Sequence, residues 1–206
     1  MKENGTMQLV DIQPAIQLIE NRSLVTDIRA RTYMSTYPAI ISLAGQGQIN
    51  TEMFNQLCLM VYGWMPRILR IDSEYLTAAV DAANSAKEAT SEERCSVDID
   101  SIASCLHSVV GASKLIHFLN PNVFPIWDSK IQAFRGLPNG YNHMAKTTSY
   151  LEYLDCVHEI INDGEFDEFY QRYSTAYSNR LQHNNIHEYQ ITRVRAVEVS
   201  AFELSP

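Results

Sequence analysis

The residue types with the most chemical potential fall in one stretch, Ser108 to Gly136, which reads SVVGASKLIHFLNPNVFPIWDSKIQAFRG. A helix begun near Ala112 places Leu115, Ile116, Phe118 and Leu119 on its buried side, with Lys114 and His117 one turn apart on another side. Asn120-Pro-Asn-Val-Phe-Pro125 must then be a non-helical crossing, because proline stops a helix and forces the residue before it into extended backbone. Asp128 arrives where the next helix starts, preceded by Phe124, Ile126 and Trp127, and an acid there is held by backbone N–H groups. A lysine amine becomes a nucleophile once burial or neighbouring cations pull its proton off. A fixed carboxylate stabilises positive charge that develops beside it. His117 can share proton traffic or help discharge the amine.

These side chains need a scaffold, and helical periodicity dominates the chain with no sustained two-residue alternation, so the expected fold class is all-α. Ile12, Ile16, Ile19, Leu24 and Ile28 suggest one amphipathic stretch broken near Asn21–Ser23. Thr51 can cap a helix carrying Phe54, Leu57, Cys58, Val61 and Tyr62. The spacing of Ile68, Leu69, Ile71, Leu76 and Val80 predicts a helix from Pro66 that fades into a small, polar stretch, and residues 82–98 form the one candidate linker in a single domain spanning 1–206. Further helices are expected over 99–106, 150–161, 166–181 and 191–204.

Sixteen Lys and Arg against 24 Asp and Glu give a net charge of −8, so the molecule as a whole repels nucleic acid and anionic membranes and any such partner needs a local basic face. Between Ser101 and Thr147 the charges are Lys114, Lys130, Arg135 and Lys146 against Asp128 alone, which is +3 and leaves −11 elsewhere. An anion is expected near this middle segment, and residues 151–181 form an acidic face open to a protein partner. The opening has no apolar signal region, and Leu57 to Met65, the most apolar run, is far short of the ~20 residues that span a bilayer. We expect an unexported, cytoplasmic protein without a membrane partner. Cys58, Cys95, Cys105 and Cys156 never form C-x-x-C, which offers neither a zinc ribbon nor an iron–sulfur spacing and favours reduced thiols.

Val109-Val-Gly-Ala-Ser-Lys114, followed by an apolar helix and then Phe124-Pro-Ile-Trp-Asp128, resembles the helix-hairpin-helix DNA glycosylase superfamily, which contains endonuclease III, the adenine glycosylases and 8-oxoguanine glycosylase. The resemblance covers about 30 residues directly and lies closer to the 8-oxoguanine branch, since the iron–sulfur cysteines are absent. It implies two helical lobes meeting at a cleft near Lys114 and Asp128, with Gly111 in the hairpin. It also implies a lysine nucleophile, here Lys114, and a catalytic aspartate, here Asp128. His117, Trp127, Lys130 and Gly111 are the expected substrate contacts, with Phe134, Tyr141 and Trp64 as further pocket walls. The hairpin departs from the family pattern: Val109-Val110-Gly111 stands for the usual Gly-x-Gly, and losing the first glycine weakens the backbone's approach to phosphate. The implied activity is N-glycosylase, with lyase activity through Lys114, on a modified or damaged base in DNA repair or bacterial anti-phage defence. DNA is the first-choice partner and a nucleotide the second, and no metal or cofactor is called for.

Each residue also has an ordinary role. Asp128 can be an N-cap worth about 1 kcal/mol, Lys114 a solvated lysine with a packed stem, His117 a satisfied histidine, and Trp64 and Trp127 core. What favours the chemical reading is their joint order inside the acid-poor segment. His183-Asn-Asn-Ile-His187 has i,i+4 spacing but no glutamate after the first histidine, and Asn-Asn reads as a turn, so we assign no metal there. Two competing readings remain: a catalytically silent module that keeps the fold and binds a nucleotide or protein, and a helical adaptor that docks through its acidic face.

Overall fold

The computed structural model describes residues 5–65 and 67–206 and, within them, is built from helices without a strand. They are α1 (Leu9–Ile12), α2 (Pro14–Asn21), α3 (Ile28–Ala44), α4 (Thr51–Trp64), α5 (Leu76–Glu88) and α6 (Ile99–Leu106). There follow α7 (Val109–Leu119), α8 (Ser129–Phe134), α9 (Tyr141–Met144), α10 (Thr147–Ile161), α11 (Phe166–His183) and α12 (Arg193–Glu203). None of them is long and apolar enough to cross a membrane among the described residues.

The packing falls into two groups. Helices α3 to α7 pack among themselves, with α6 and α7 joined by a two-residue turn and in close contact, and α5 against both. Helices α1, α2, α8, α10 and α11 gather around α12, and α10 links the groups by touching α6 and α7. The buried apolar side chains of both groups join in one cluster that runs from Met7 to Ala201.

Local chemistry explains the boundaries. The α6–α7 turn is two residues, His107 in the left-handed region (φ 48°) and Ser108, whose Oγ accepts from Gly111 N at 2.9 Å and caps α7. Asn50, not Thr51, caps α4 by accepting from Met53 N. The expected helix from Pro66 begins at Leu76 instead; Pro66 itself lies outside the described residues, and 67–72 run as irregular chain pinned by Asp72 N to Cys105 O at 2.8 Å. The candidate linker is also corrected in part. Residues 82–88 complete α5, whose Ala82, Ala83 and Ala86 are buried, and a 3₁₀ turn at Arg94–Ser96 follows. Small side chains there let helices approach closely; they do not loosen the chain. All four cysteines are free, Cys58 and Cys105 buried, Cys156 half-buried and Cys95 exposed.

Candidate functional site

The site begins with how the Asn120–Trp127 crossing is held. With no strand beside it, its carbonyls are met by side chains from several helices. The Thr192 hydroxyl donates to Pro121 O (2.6 Å), His158 Nε2 to Val123 O (2.8 Å), His117 Nδ1 to Phe124 O (2.7 Å) and the Tyr150 hydroxyl to Pro125 O (3.2 Å). Trp127 N donates to Ser113 Oγ at 3.2 Å. A buried backbone must find such partners. The result is a rigid strap that delivers Asp128 to the start of α8, where its Oδ1 accepts from Lys130 N (2.9 Å) and Ile131 N (3.1 Å). The N-cap expected from the sequence is therefore present.

Lys114 lies on α7, a helix otherwise buried along most of its length, and its amine reaches over the Trp64 ring at 5.8 Å from the centroid. Among the described residues it makes no hydrogen bond and no ion pair. Burial lowers its pKa from the ordinary lysine value; Asp128 and Glu198 pull it back up, while Arg67 and Arg195 push it further down. Lys114 and Asp128 are thus within electrostatic reach of each other without touching. The Trp64 ring is flanked by Tyr33 at 4.8 Å and Phe118 at 5.3 Å, and its indole N–H is buried with no acceptor among the described residues.

Three expected substrate contacts are placed elsewhere. His117 is 0% exposed: its Nδ1–H is spent on the Phe124 carbonyl, so Nε2 accepts from the Tyr37 hydroxyl at 2.8 Å. Lys114 and His117 are a turn apart, but the boundary of the core runs between them. Trp127 is also 0% exposed, its indole N–H donating to Gln132 Oε1 at 3.3 Å. Gly111 is not in the hairpin turn but in the first turn of α7, where a Cβ would lie 2.6 Å from the Tyr62 hydroxyl; glycine there lets α4 approach α7. Lys130 is exposed, with its amine over the Phe202 ring at 4.5 Å. Arg135, counted in the basic segment, is buried and donates to Gly5 O at 2.9 Å, so the segment's surface is less cationic than its sequence.

Burial drives the His117 pKa down to about 3, with Arg195 acting in the same direction. A depressed folded-state value means that the neutral ring's contribution is present above the ordinary 6.5 and is lost as pH falls toward about 3. We expect stability to drop by up to about 1.4 kcal/mol per pH unit through that window. Denaturant unfolding at a series of pH values checks this: the extra slope should vanish in His117→Gln, and an unchanged slope contradicts the assignment.

No family model matches the chain, and no curated protein or solved structure is significantly similar to it.

A buried cluster centred on α12 is absent from the expected set. Arg195 and Glu198, one turn apart on α12, form an ion pair with side chains only 11% and 4% exposed. The Arg195 guanidinium lies over the Tyr37 ring at 4.6 Å from its centroid, and Tyr189 stacks on Tyr37 at 5.7 Å and meets Tyr177 edge-on, their hydroxyls hydrogen-bonded at 3.0 Å. Burial raises the Glu198 carboxyl above the ordinary carboxylate value against the pull of Arg195, while Arg195 itself is held firmly protonated by Glu198. A signal existed: the apolar Val194, Ala196, Val197, Val199 and Ala201 are spread around α12 and not confined to one stripe, and a helix buried over so much of its surface takes a charge such as Glu198 inside with it. Two open hollows, of about 520 Å³ beside Asn84 and Lys87 and about 680 Å³ between Gln8 and Asp163, lie away from Lys114 and Asp128. In the irregular chain leading to Asp72, Arg67, Arg70 and Ile68 (86% exposed) face solvent, and the Arg67 charge reaches Lys114.

Proposed function

We propose that the protein is an N-glycosylase of the helix-hairpin-helix type, with lyase activity, acting on a modified or damaged nucleic-acid base in DNA repair or anti-phage defence. One observation carries the reading: a lysine amine, desolvated and without a hydrogen-bonding partner, stands over an aromatic ring within reach of a carboxylate fixed at a helix N-cap. Breaking an N-glycosidic bond builds positive charge on the sugar. Asp128 stabilises that charge. Lys114, as the neutral amine, attacks C1′ while the C1′–N bond electrons leave with the base, which takes up the proton that Nζ loses; the C1′–O4′ bond then breaks with a solvent proton going to O4′, and the Nζ lone pair closes a protonated Schiff base on C1′. Trp64 and Tyr33 supply faces on which an extruded base can stack, and the free indole N–H is a donor for it. The segment carrying Arg67, Ile68 and Arg70 supplies cations and an exposed apolar side chain beside the hairpin.

A panel of duplexes and single strands carrying modified bases, read for base release, tests the activity. Binding to the same strands across a salt series should give a negative slope, and Arg67→Ala with Arg70→Ala should reduce that slope by about 2. A slope of zero in the parent protein, or one unchanged by both substitutions, rejects this docking face. The position of both large hollows away from Lys114 favours, as a second reading, a module that keeps the fold but binds without catalysis. No base release from any strand would select it.

A further inference from the structure

A row of aromatic and cationic side chains crosses α3, α4 and α7 where these three helices pack against one another. Arg29 on α3 donates through Nε to the Tyr33 hydroxyl at 2.6 Å, with its guanidinium carbon 5.3 Å from the ring centroid. Tyr33 meets Trp64, the last residue of α4, at 4.8 Å between centroids with the planes tilted by 50°. The Lys114 amine of α7 stands over the same indole at 5.8 Å, and Phe118, 1% exposed, meets it edge-on and backs it from the core. Arg29 is exposed and Tyr33, Trp64 and Lys114 are half-buried, so the row lies at the surface. Its charge is unlike that of the rest of the chain. The three helices carry Arg29, Arg31 and Lys114 against one acid, Glu52, which stands at the other end of α4 from Trp64, in a molecule of net charge −8. Asp27, just before α3, is spent on capping and accepts from Arg29 N at 2.9 Å. Arg67 adds an exposed cation three residues past Trp64.

We propose that this row binds an unpaired nucleic-acid strand, with two neighbouring bases on Tyr33 and Trp64, so that the substrate is single-stranded; the proposal deepens the glycosylase reading and rests on it for the sugar beside Lys114. Cations flanking adjoining aromatic rings suit such a strand, since the rings take its bases and the cations its phosphates. A base gains more by stacking on a ring than an exposed cation gains over it. The strand therefore takes the ring faces, Arg29 turns to a phosphate, and Lys114 is left next to a sugar. Two adjoining rings fit two adjoining bases. A duplex would have to break two pairs to fill them, whereas a single strand breaks none. A duplex would also bring a second line of phosphates against a molecule of net charge −8. The α6–α7 turn offers its backbone little, because His107 N, Ser108 N and Gly111 N already donate to Ser104 O, Ala103 O and Ser108 Oγ.

The test titrates the full chain with oligothymidylate, which forms no duplex with itself. Trp127 is 0% exposed, so quenching of tryptophan emission reports a base stacking on Trp64. We expect saturable quenching and weaker binding of the duplex made by adding oligoadenylate. Tyr33→Leu should weaken binding of the single strand at least about fivefold, while Tyr33→Phe, which keeps the ring, binds like the parent. Arg29→Ala should reduce the salt slope by about 0.7, the share of one phosphate on a single strand. Three results each overturn the proposal: a parent protein that shows no quenching, a duplex bound as tightly as the single strand, or a folded Tyr33→Leu that binds like the parent. The first two decide it even if Tyr33→Leu does not fold. A chain that binds oligothymidylate with quenching but forms no borohydride adduct keeps the row and loses the glycosylase chemistry. A chain that forms the adduct on an abasic duplex but does not bind oligothymidylate keeps the chemistry and loses the row.

Discussion

Lys114→Met is expected to lower base release and strand cleavage by at least about 1,000-fold, the scale at which loss of a group that acts in the transition state is felt. It should do so without harming the fold. The amine makes no hydrogen bond or ion pair among the described residues, and a methionine keeps an apolar stem against Trp64 while removing a desolvated charge. The thermal midpoint should stay within about 4 °C of the parent, corresponding to roughly 1 kcal/mol in a chain of this size. Asp128→Asn is the companion variant, because asparagine caps a helix as well as aspartate and so removes the charge while keeping the bonds to Lys130 N and Ile131 N. Parent-level activity in Lys114→Met contradicts the nucleophile assignment, and a fall in activity that tracks unfolding shows only a structural lysine.

Arg195→Met should have the largest effect on stability. It removes one partner of an ion pair that is nearly closed to solvent and leaves the Glu198 carboxylate uncompensated, a change that typically costs about 3–5 kcal/mol. In a chain of this length that corresponds to a midpoint lowered by roughly 10 °C. It also strips the cation from the Tyr37 face. Replacing both residues, Arg195→Met with Glu198→Met, should recover most of the loss, since no buried charge is then left alone. If the single and double variants are equally unstable, the pair is not what makes Arg195 necessary. A differential scanning calorimetry series of the three proteins decides it.

Helical periodicity carried much of the scaffold. The apolar spacing that predicts helices over 150–161, 166–181 and 191–204 matches α10, α11 and α12, and Asp128 caps α8 as its position before Ser129-Lys-Ile implies. The errors have physical causes. Ala82, Ala83 and Ala86 read as a small-residue linker because alanine is apolar enough to bury yet too small to mark a hydrophobic stripe, and α5 uses it for close packing. The cationic middle segment is acid-poor because α7 and the crossing form core, so Arg135 and His117 are inside and not displayed.

Glu198 was not legible as a site residue because periodicity tells which face of a helix is apolar but not what stands opposite. Its burial beside Arg195 emerges only when α1, α2, α8, α10 and α11 close around α12. The strap from Asn120 to Trp127 is similar. Its prolines announce an irregular crossing, whereas the hydroxyls and imidazoles that hold it come from Ser113, His117, Tyr150, His158 and Thr192, spread over three helices or their caps.

The most direct measurement is borohydride trapping of the parent protein on a duplex containing an abasic site, followed by proteolysis and mass mapping of the modified peptide. An imine formed at Nζ is reduced to a stable secondary amine, so the account predicts a covalent adduct carried by Lys114 and absent from Lys114→Met. An adduct on a different lysine, or none at all from a protein that binds the duplex, contradicts it.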